Sequence, residues 1–334
     1  MADISVLIPV HNAPLTIESA IASILRQTFH DFEVVVVDDG STDSTPEILD
    51  TLALADKRLH IIHLPHRGII HALNCGISEC RGDFIARMDG DDICHPRRLE
   101  MQVDFMKSHP EVSVCSSLIK MFPRSELPGG LICYEQWMNS LVTHEQIARD
   151  MFVESPVAHP SVMMRHSELI EIGGYQERGW AEDYDLWLRY HTSGKLFAKV
   201  PEVLTFWRQA AGRLTFTDSR YAVENFLRAK AYYLAAILKD CGRSIALWGT
   251  GKTGRRLIKH LIREGLPVES VIDIDRSKIG QTLRSLPIVG LEYLDTNPNT
   301  FVISAVSSHE ARKLIREHMS SIGLVETRDF ICAA

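Results

Sequence analysis

The sequence predicts an α/β protein: a domain with a mostly parallel sheet, followed by a second, smaller α/β domain. Short apolar strands alternate with stretches of helical periodicity over residues 4–92, and the alternation restarts at residue 244 after a long helical segment. Acidic clusters also fall where strands end, which is where open α/β sheets bind their ligands.

The elements follow in order. Residues 4–10 form a short, continuously apolar run that reads as a buried strand. It ends in Pro9-Val-His-Asn12, without the glycine-rich turn that a dinucleotide fold places there. Over 15–27, Ile17, Ala20, Ile21, Ile24 and Leu25 recur at helical spacing. Phe32-Glu-Val-Val-Val-Val37 is a second buried strand and empties into Asp38-Asp-Gly-Ser-Thr-Asp43. Thr45 and Pro46 have the form of an N-cap and first helical residue, opening a helix to residue 55. A strand at 59–64, a helix at 68–79 and a strand running into Asp89 complete a βαβαβαβ series. Right-handed crossovers turn such a series into a mostly parallel sheet with helices on both faces.

The last of these strands leads into Ile85-Ala-Arg-Met-Asp-Gly-Asp-Asp92. Carboxylates this close repel one another, and desolvation raises the cost of ionising them. A hard divalent cation, Mn2+ or Mg2+, resolves that conflict and keeps positions open for phosphate. Asp91 and Asp89, flanking the small Gly90, are therefore the candidate metal ligands. The plain alternative is an acidic surface turn, since Asp-Gly is a common turn dipeptide. Convergence argues against it, because both acidic clusters and residues 9–12 sit at carboxyl ends of strands and can face one crevice. His60, His63, His66 and His71 make no comparable case for zinc, as positions 60 and 63 point to opposite faces of a strand.

Beyond residue 92 a helix is expected over 96–107, a strand over 111–121 and a loop over 123–130. Trp137, Met138 and Leu141 read as core or groove residues, and His159, beside Pro160, as structural. The informative stretch is Gly173-Gly-Tyr-Gln-Glu-Arg-Gly-Trp-Ala-Glu-Asp-Tyr-Asp-Leu-Trp-Leu-Arg189. Its glycines turn the lead-in, and Glu182-Asp183 opens a helix with Leu186, Trp187 and Tyr190 on one face. Acids suit a first helical turn for dipole reasons alone. A general base there needs its pKa raised against that dipole, by burial beside Trp180 and Trp187.

A helix over 219–239 reads as part of a linker, 217–243, between a first domain at 1–216 and a second at 244–334. The second domain opens with the strand Ser244-Ile-Ala-Leu-Trp248, then Gly249-Thr-Gly-Lys-Thr-Gly254 and a helix. This is G-x-G-x-x-G in its strand-turn-helix context, with Asp273 about twenty residues on, so the unit is Rossmann-like. Gly249, Gly251, Gly254 and Asp273 are its candidate ligand-binding residues, for a phosphate-bearing nucleotide. A phosphate-loop NTPase pattern fits only without its first glycine, and a structural turn would also select glycine. Residues 244–334 are short for a full dinucleotide fold, which leaves bound NAD doubtful.

Length and composition bound the rest. At 334 residues there is room for two domains with ample core. A net charge of −7 without a dense Lys/Arg block sets nucleic acid aside as a partner. The first strand begins too early for a signal peptide, and no apolar run reaches the roughly 18 residues of a membrane span. Seven cysteines without a CxxC pair suit reduced thiols. The expected location is the cytoplasm, with room for peripheral contact at the inner membrane face; oligomeric state is not legible.

Pro9-Val-His-Asn12, Val37-Asp-Asp-Gly-Ser-Thr-Asp43, Gly68 with Asn74-Cys-Gly76, Arg81-Gly-Asp83 and Met88-Asp-Gly-Asp-Asp92 resemble the successive motifs of family 2 glycosyltransferases. Phe206-Trp-Arg208 matches the end of that family's domain, so the resemblance covers residues 3–215. It implies the GT-A nucleotide-sugar-binding fold, ahead of the Rossmann-like domain. It implies inverting transfer from a nucleotide-sugar donor, a UDP-sugar first among the choices, to a hydroxyl of a saccharide or lipid-linked saccharide acceptor. By the same resemblance Pro9 and His11 line the base pocket, Asp39 bonds the base, Gly68 belongs to the donor site and Asp89 approaches the ribose. Asp91 binds the metal, Asp183 is the catalytic base, and Glu182 and Trp187 face the acceptor.

There are departures from the family pattern. His11 stands where an aromatic is usual and His66 where Asn is frequent. Gln209-Ala-Ala-Gly212 replaces a His that helps bind metal or diphosphate in many members, leaving Arg208 or Arg213 to take up phosphate charge. The rival readings are a non-catalytic nucleotide-sugar-binding protein and an NAD-dependent oxidoreductase built on the second domain's glycines.

Overall fold

A computed structural model describes residues 3–210 and 212–334, with Leu214 and Phe216 described by their backbone alone. The chain forms two compact units. One runs to Ile147 and includes Pro156–Arg178 and Glu182–Thr217; the other comprises Ala148–Ser155, Gly179–Ala181 and Asp218–Ala334.

The first unit is built on eight strands: β1 (Ile4–Val10), β2 (Phe32–Asp39), β3 (Leu59–Leu64), β4 (Phe84–Arg87), β5 (Ile93–Cys94), β6 (Val112–Phe122), β7 (Met163–Arg165) and β8 (Leu196–Arg208). They lie in the order β3-β2-β1-β4-β7-β6-β8-β5. The stretch from β3 to β4 is parallel, and β7 enters antiparallel between β4 and β6. Every residue of β1 and β2 is buried, which is why both read as continuous apolar runs rather than alternating ones. Helix Ile17–Leu25 buries Ile17, Ala20, Ile21 and Ile24 in one core with Val6, Ile8, Val34 and Val36. Each of the buried Ile and Val side chains contributes roughly 1.5–3 kcal/mol of burial free energy. Register pairs Pro9 with Val37 and Val10 with Asp38, so β1 and β2 end level and His11 lies beside Asp39.

Two local expectations shift. Ser44, not Thr45, precedes the helix Thr45–Ala55, and the Thr45 hydroxyl accepts the Ala13 N–H at 2.9 Å instead of capping. Part of the expected loop at 123–130 is helical, because Gly129–Ser140 forms a helix. Two glycines at its start conceal it from propensity; packing of Met138 against Ile119 and Met121 holds it.

The second unit carries β9 (Ser244–Trp248), β10 (Val268–Ile272), β11 (Thr282–Leu283), β12 (Leu286–Val289), β13 (Thr300–Ser304) and β14 (Phe330–Cys332). Their order is β11-β12-β10-β9-β13-β14, parallel from β12 to β14, which is the doubly wound arrangement with β9 central. The expected linker does not stand apart. Helix Val223–Leu238 buries Leu227, Leu234 and Leu238 within this unit, and its Glu224 accepts from Arg256 Nε at 2.9 Å and Lys259 Nζ at 3.1 Å. Its apolar stripe requires a partner, and the helix Lys252–Arg263 supplies one. Among the described residues no helix is long and apolar enough to cross a membrane.

Candidate active site

The ends of β1, β2 and β3 meet around Asp39. Its carboxylate is buried, with Oδ1 accepting from Arg67 N and Oδ2 from Gly68 N, both at 2.8 Å. Gly68 therefore belongs to the site through its backbone, at φ 93°. His11 Nδ1 lies 2.9 Å from the Asp39 main-chain oxygen, and the His11 and His66 rings stack at 4.3 Å. Pro9 lies within buried β1 just below them. His63 bonds Asp38 Oδ2 at 2.9 Å while His66 Nδ1 lies 2.9 Å from Asp39 Oδ2, so these two histidines serve separate carboxylates.

After β4 the carboxylates crowd, and ligating oxygens of Asp89, Asp91 and Asp92 lie within 4.8 Å of one another. Burial, and then Asp89, push the Asp91 carboxyl up to about 6. Burial with both neighbours pushes Asp92 well above the carboxylate range. Asp92 Oδ1 accepts from Arg208 N at 2.7 Å, while its buried Oδ2 has no partner among the described residues. Arg208 Nε also donates to the Asp91 main-chain oxygen at 2.6 Å. Gln209, where many family members carry His, accepts from Arg213 Nη1 at 2.7 Å through its Oε1; Ala211 lies outside the described residues.

Arg87 closes β4, is 2% exposed and pairs with Asp89 at 2.6 Å, leaving Nε and Nη1 without partners among the described residues. Sequence reasoning gave no role to Arg87 or to Asp92. The available signal was a cation inside an otherwise apolar strand, since a buried charge requires a partner. Hard oxygen donors, crowded above their ordinary pKa and with one buried oxygen unspent, fit Mg2+ or Mn2+.

Asp183 sits in the first turn of helix Glu182–Thr192, where its Oδ1 accepts from Tyr184 N at 2.7 Å. Its pKa is raised: burial outweighs the Tyr184 N–H and the Arg87 charge, and Asp89 adds to the rise. The contest between helix terminus and burial is thus decided for burial. The lead-in is pinned by Arg189, which pairs with Asp185 at 2.8 Å and donates to the carbonyls of Ile172 and Gly174 at 2.7 Å each. Asn74 brackets Tyr175, donating to its carbonyl at 2.8 Å and accepting its N–H at 2.9 Å. His159 is buried, bonds Tyr175 Oη at 2.6 Å and is driven well below the ordinary imidazole range by burial.

Two expected acceptor residues are corrected. Trp187 is 0% exposed and packs edge-on to Phe197 and His159, and Glu182 is 1% exposed. Neither offers surface to an acceptor, because most of their helix, polar residues included, is buried.

In the second unit Gly249 has φ 119°, and a Cβ on Gly254 would stand 1.9 Å from the Gly249 oxygen. Lys252 is the first helical residue, as the Rossmann-like reading requires. Asp273 bonds within the loop itself. Its Oδ2 accepts from Thr250 N at 3.1 Å and from the Thr250 hydroxyl, and its Oδ1 from Asp275 N at 2.9 Å.

Comparison with known proteins gives concordant results. The model of glycosyl transferase family 2 matches residues 5–173. An amylovoran biosynthesis glycosyltransferase of Erwinia amylovora is 32% identical over 203 residues, 60% of this chain and 74% of that protein. The UDP-Gal:alpha-D-GlcNAc-diphosphoundecaprenol beta-1,3-galactosyltransferase of Escherichia coli is 29% identical over 211 residues, 61% of this chain and 73% of that protein. Among solved structures, S. aureus TarS 1-349 with UDP-GlcNAc aligns at TM-score 0.58 and 20% identity, covering 79% of this chain and 72% of that one. A Pyrobaculum calidifontis mannosyltransferase with GDP-Man and Mn2+ aligns at TM-score 0.51 and 19% identity, covering 79% and 69%. The structural likenesses bear on fold, which is of the GT-A type.

Proposed function

Because the chain belongs to glycosyl transferase family 2 and so transfers sugar from a nucleotide-sugar donor, we propose a cation-dependent, inverting transfer to a hydroxyl of a saccharide or lipid-linked saccharide. One observation carries this reading: the buried Arg87 charge acts on the acids at the end of β4 and on the raised carboxyl of Asp183 alike. Asp183 takes the proton of the acceptor hydroxyl as that oxygen bonds to the anomeric carbon and the bond to the leaving diphosphate breaks. A carboxyl with a raised pKa is the stronger base for this step. Asp91 and Asp89, with Asp92 behind them, would hold Mg2+ or Mn2+. When bound, such a cation neutralises charge gathering on the leaving diphosphate. Arg208 and Arg213 add positive charge beside Asp91.

The name of the E. coli relative, with UDP-Gal and a diphosphoundecaprenol-linked acceptor, supports a UDP-sugar and a lipid-linked saccharide. For the second unit a weak nucleotide site at Gly249, Gly251 and Gly254 is retained, one in which Asp273 must first release Thr250. Saturation-transfer NMR of the whole protein with Mn2+ against UDP-, GDP- and dTDP-sugars, followed by product analysis with saccharide acceptors, tests the proposal. Binding of no donor in that panel, with no transfer, would overturn it.

A further inference from the structure

We propose that the outer face of the helix Lys252–Arg263 is a docking surface for an anionic lipid bilayer. The helix holds Lys252, Arg255, Arg256, Lys259 and Arg263 and no acidic residue, in a chain whose acids outnumber its lysines and arginines by 43 to 36. Its inner face buries Gly254, Leu257, Ile258 and Leu261. At the helical repeat the five cations and Ile262 share the opposite side, an arc of about 120° along a row of roughly 18 Å. Lys252, Arg255, Ile262 and Arg263 are exposed, Ile262 at 43%.

An ordinary solvated helix face interleaves charges of both signs at spacings of three and four residues. The helix His309–Ser321 of the same unit does so, with Glu310, Lys313, Arg316 and Glu317 in succession and Lys313 Nζ 4.0 Å from Glu317. The face of Lys252–Arg263 lacks that pattern. Glu224 draws on Arg256 at 2.9 Å and Lys259 at 3.1 Å, and Glu264 follows the last turn. Lys252, Arg255 and Arg263 have no acidic partner among the described residues, so the face keeps an excess of positive charge.

Charge of one sign would serve a soluble polyanion as well as a bilayer, and Ile262 decides between them. It stands one turn beyond Lys259 and beside Arg263, on the same exposed arc. Helices that lie in a membrane interface combine cations for the headgroups with apolar side chains for the acyl boundary, whereas a soluble polyanion gains nothing from an isoleucine. Each cation brought to an anionic lipid surface is worth about fivefold in affinity. A net charge of −7 sets the molecule as a whole against such a surface, so the attraction orients it with this face inward.

Co-sedimentation of the full chain with vesicles tests this, using phosphatidylcholine alone and phosphatidylcholine with about 30% phosphatidylglycerol. Wild type should bind the anionic vesicles at least about tenfold more tightly, and binding should fall as salt rises from about 0.05 M to about 0.3 M. Arg255→Gln combined with Arg263→Gln should weaken it roughly 25-fold. Ile262→Ser should weaken it about threefold or more and leave the salt dependence unchanged, because the side chain carries no charge. Lys313→Gln removes a charge on the opposite face of the sheet, where right-handed crossovers place its helix, and should change binding by less than about twofold. Thermal melting checks that each variant folds. Equal binding to both vesicles, no binding to either, or undiminished binding in the double variant would overturn the inference. So would a loss in Lys313→Gln as large as in the double variant. Wild type held by heparin but not by anionic vesicles would assign the face to a soluble polyanion, and overturn it as well.

Discussion

Two strand ends with similar sequence character behave differently. The acid cluster after β4 and the glycine loop after β9 both place glycine among polar residues at the carboxyl end of a buried strand. After β4, bonding capacity is left over: Asp92 Oδ2 and two Arg87 nitrogens lack partners, and carboxyls are held above their usual range. After β9 it is consumed. Thr250 buckles onto Asp273, Asp273 takes a second backbone N–H from Asp275, and Arg255 Nε donates to the Thr250 carbonyl at 2.9 Å. Buried polar groups are normally satisfied, so an unspent set marks a place prepared for something else. Readiness for a ligand is a property of these bonds and not of the motif.

The strongest test lies at Asp183. Asp183→Asn should bind donor as wild type does and lose transfer by about 10²-fold or more, the range for a missing general base. Asn retains the first-turn acceptor for the Tyr184 N–H, so little stability should be lost. Single-turnover kinetics beside donor titration check this. Near-wild-type turnover would remove Asp183 from the mechanism.

Next is Asp91→Ala, which should fold and yet lose cation-dependent binding of a nucleoside diphosphate. The loss should exceed the roughly 10–100-fold that removal of an outer-shell metal partner costs. Titrations with and without EDTA decide it. Equal wild-type affinity in the two conditions would leave the acids as a surface feature and erase the contrast with the β9 loop.

The contrast also predicts a pH dependence. Asp91 rises on folding from 3.8 to about 6, so between those values the folded state binds more protons than the unfolded one. Its contribution to stability is therefore present below the lower value and lost as pH climbs to the higher, the reverse of an ordinary salt-bridged acid. Without a divalent cation the melting temperature should carry a falling component across that window. MgCl2, which needs ionised carboxylates, should raise it more at about pH 7.5 than at about pH 5. Asp91→Asn should flatten both trends. A magnesium effect independent of pH would mean that Asp91 is not a ligand.

Much of this was legible in the sequence because it lies in periodicity and in local spacing. β1, β2, β3 and β9 fell where their apolar runs placed them, and the acids clustered within a few residues of one another. What stayed hidden depends on distant partners. Arg87 gains its role only when folding brings its charge to bear on Asp183, and Asp39 is engaged by the backbone of a loop that follows β3. Trp187 was misassigned because a helical stripe shows which residues share a face but not whether that face meets solvent or core. The helix Val223–Leu238 looked like a linker for the same reason.

The smallest effect expected is in the glycine loop, and it separates two reasons for glycine. Gly254 is a packing glycine, since an added Cβ would meet the Gly249 backbone oxygen at 1.9 Å, and backbone cannot swing aside. Gly254→Ala should therefore cost about 1–3 kcal/mol, as overpacking does. Gly251 differs: it caps the helix Lys252–Arg263 at φ −67° and ψ −177°, and nothing lies within 4 Å of its would-be Cβ. Alanine fits there, and the stiffer unfolded chain could offset any loss, so the change should stay within about 0.5 kcal/mol. Chemical denaturation of both variants measures the difference. Nucleotide titration, monitored at the Gly249 and Gly251 amides, then asks whether Gly251→Ala abolishes a shift that wild type shows. If it does while stability is unchanged, the open space over Gly251 is ligand space. If wild type shows no shift at millimolar UDP or NAD, the loop is a folded turn whose bonding is already complete.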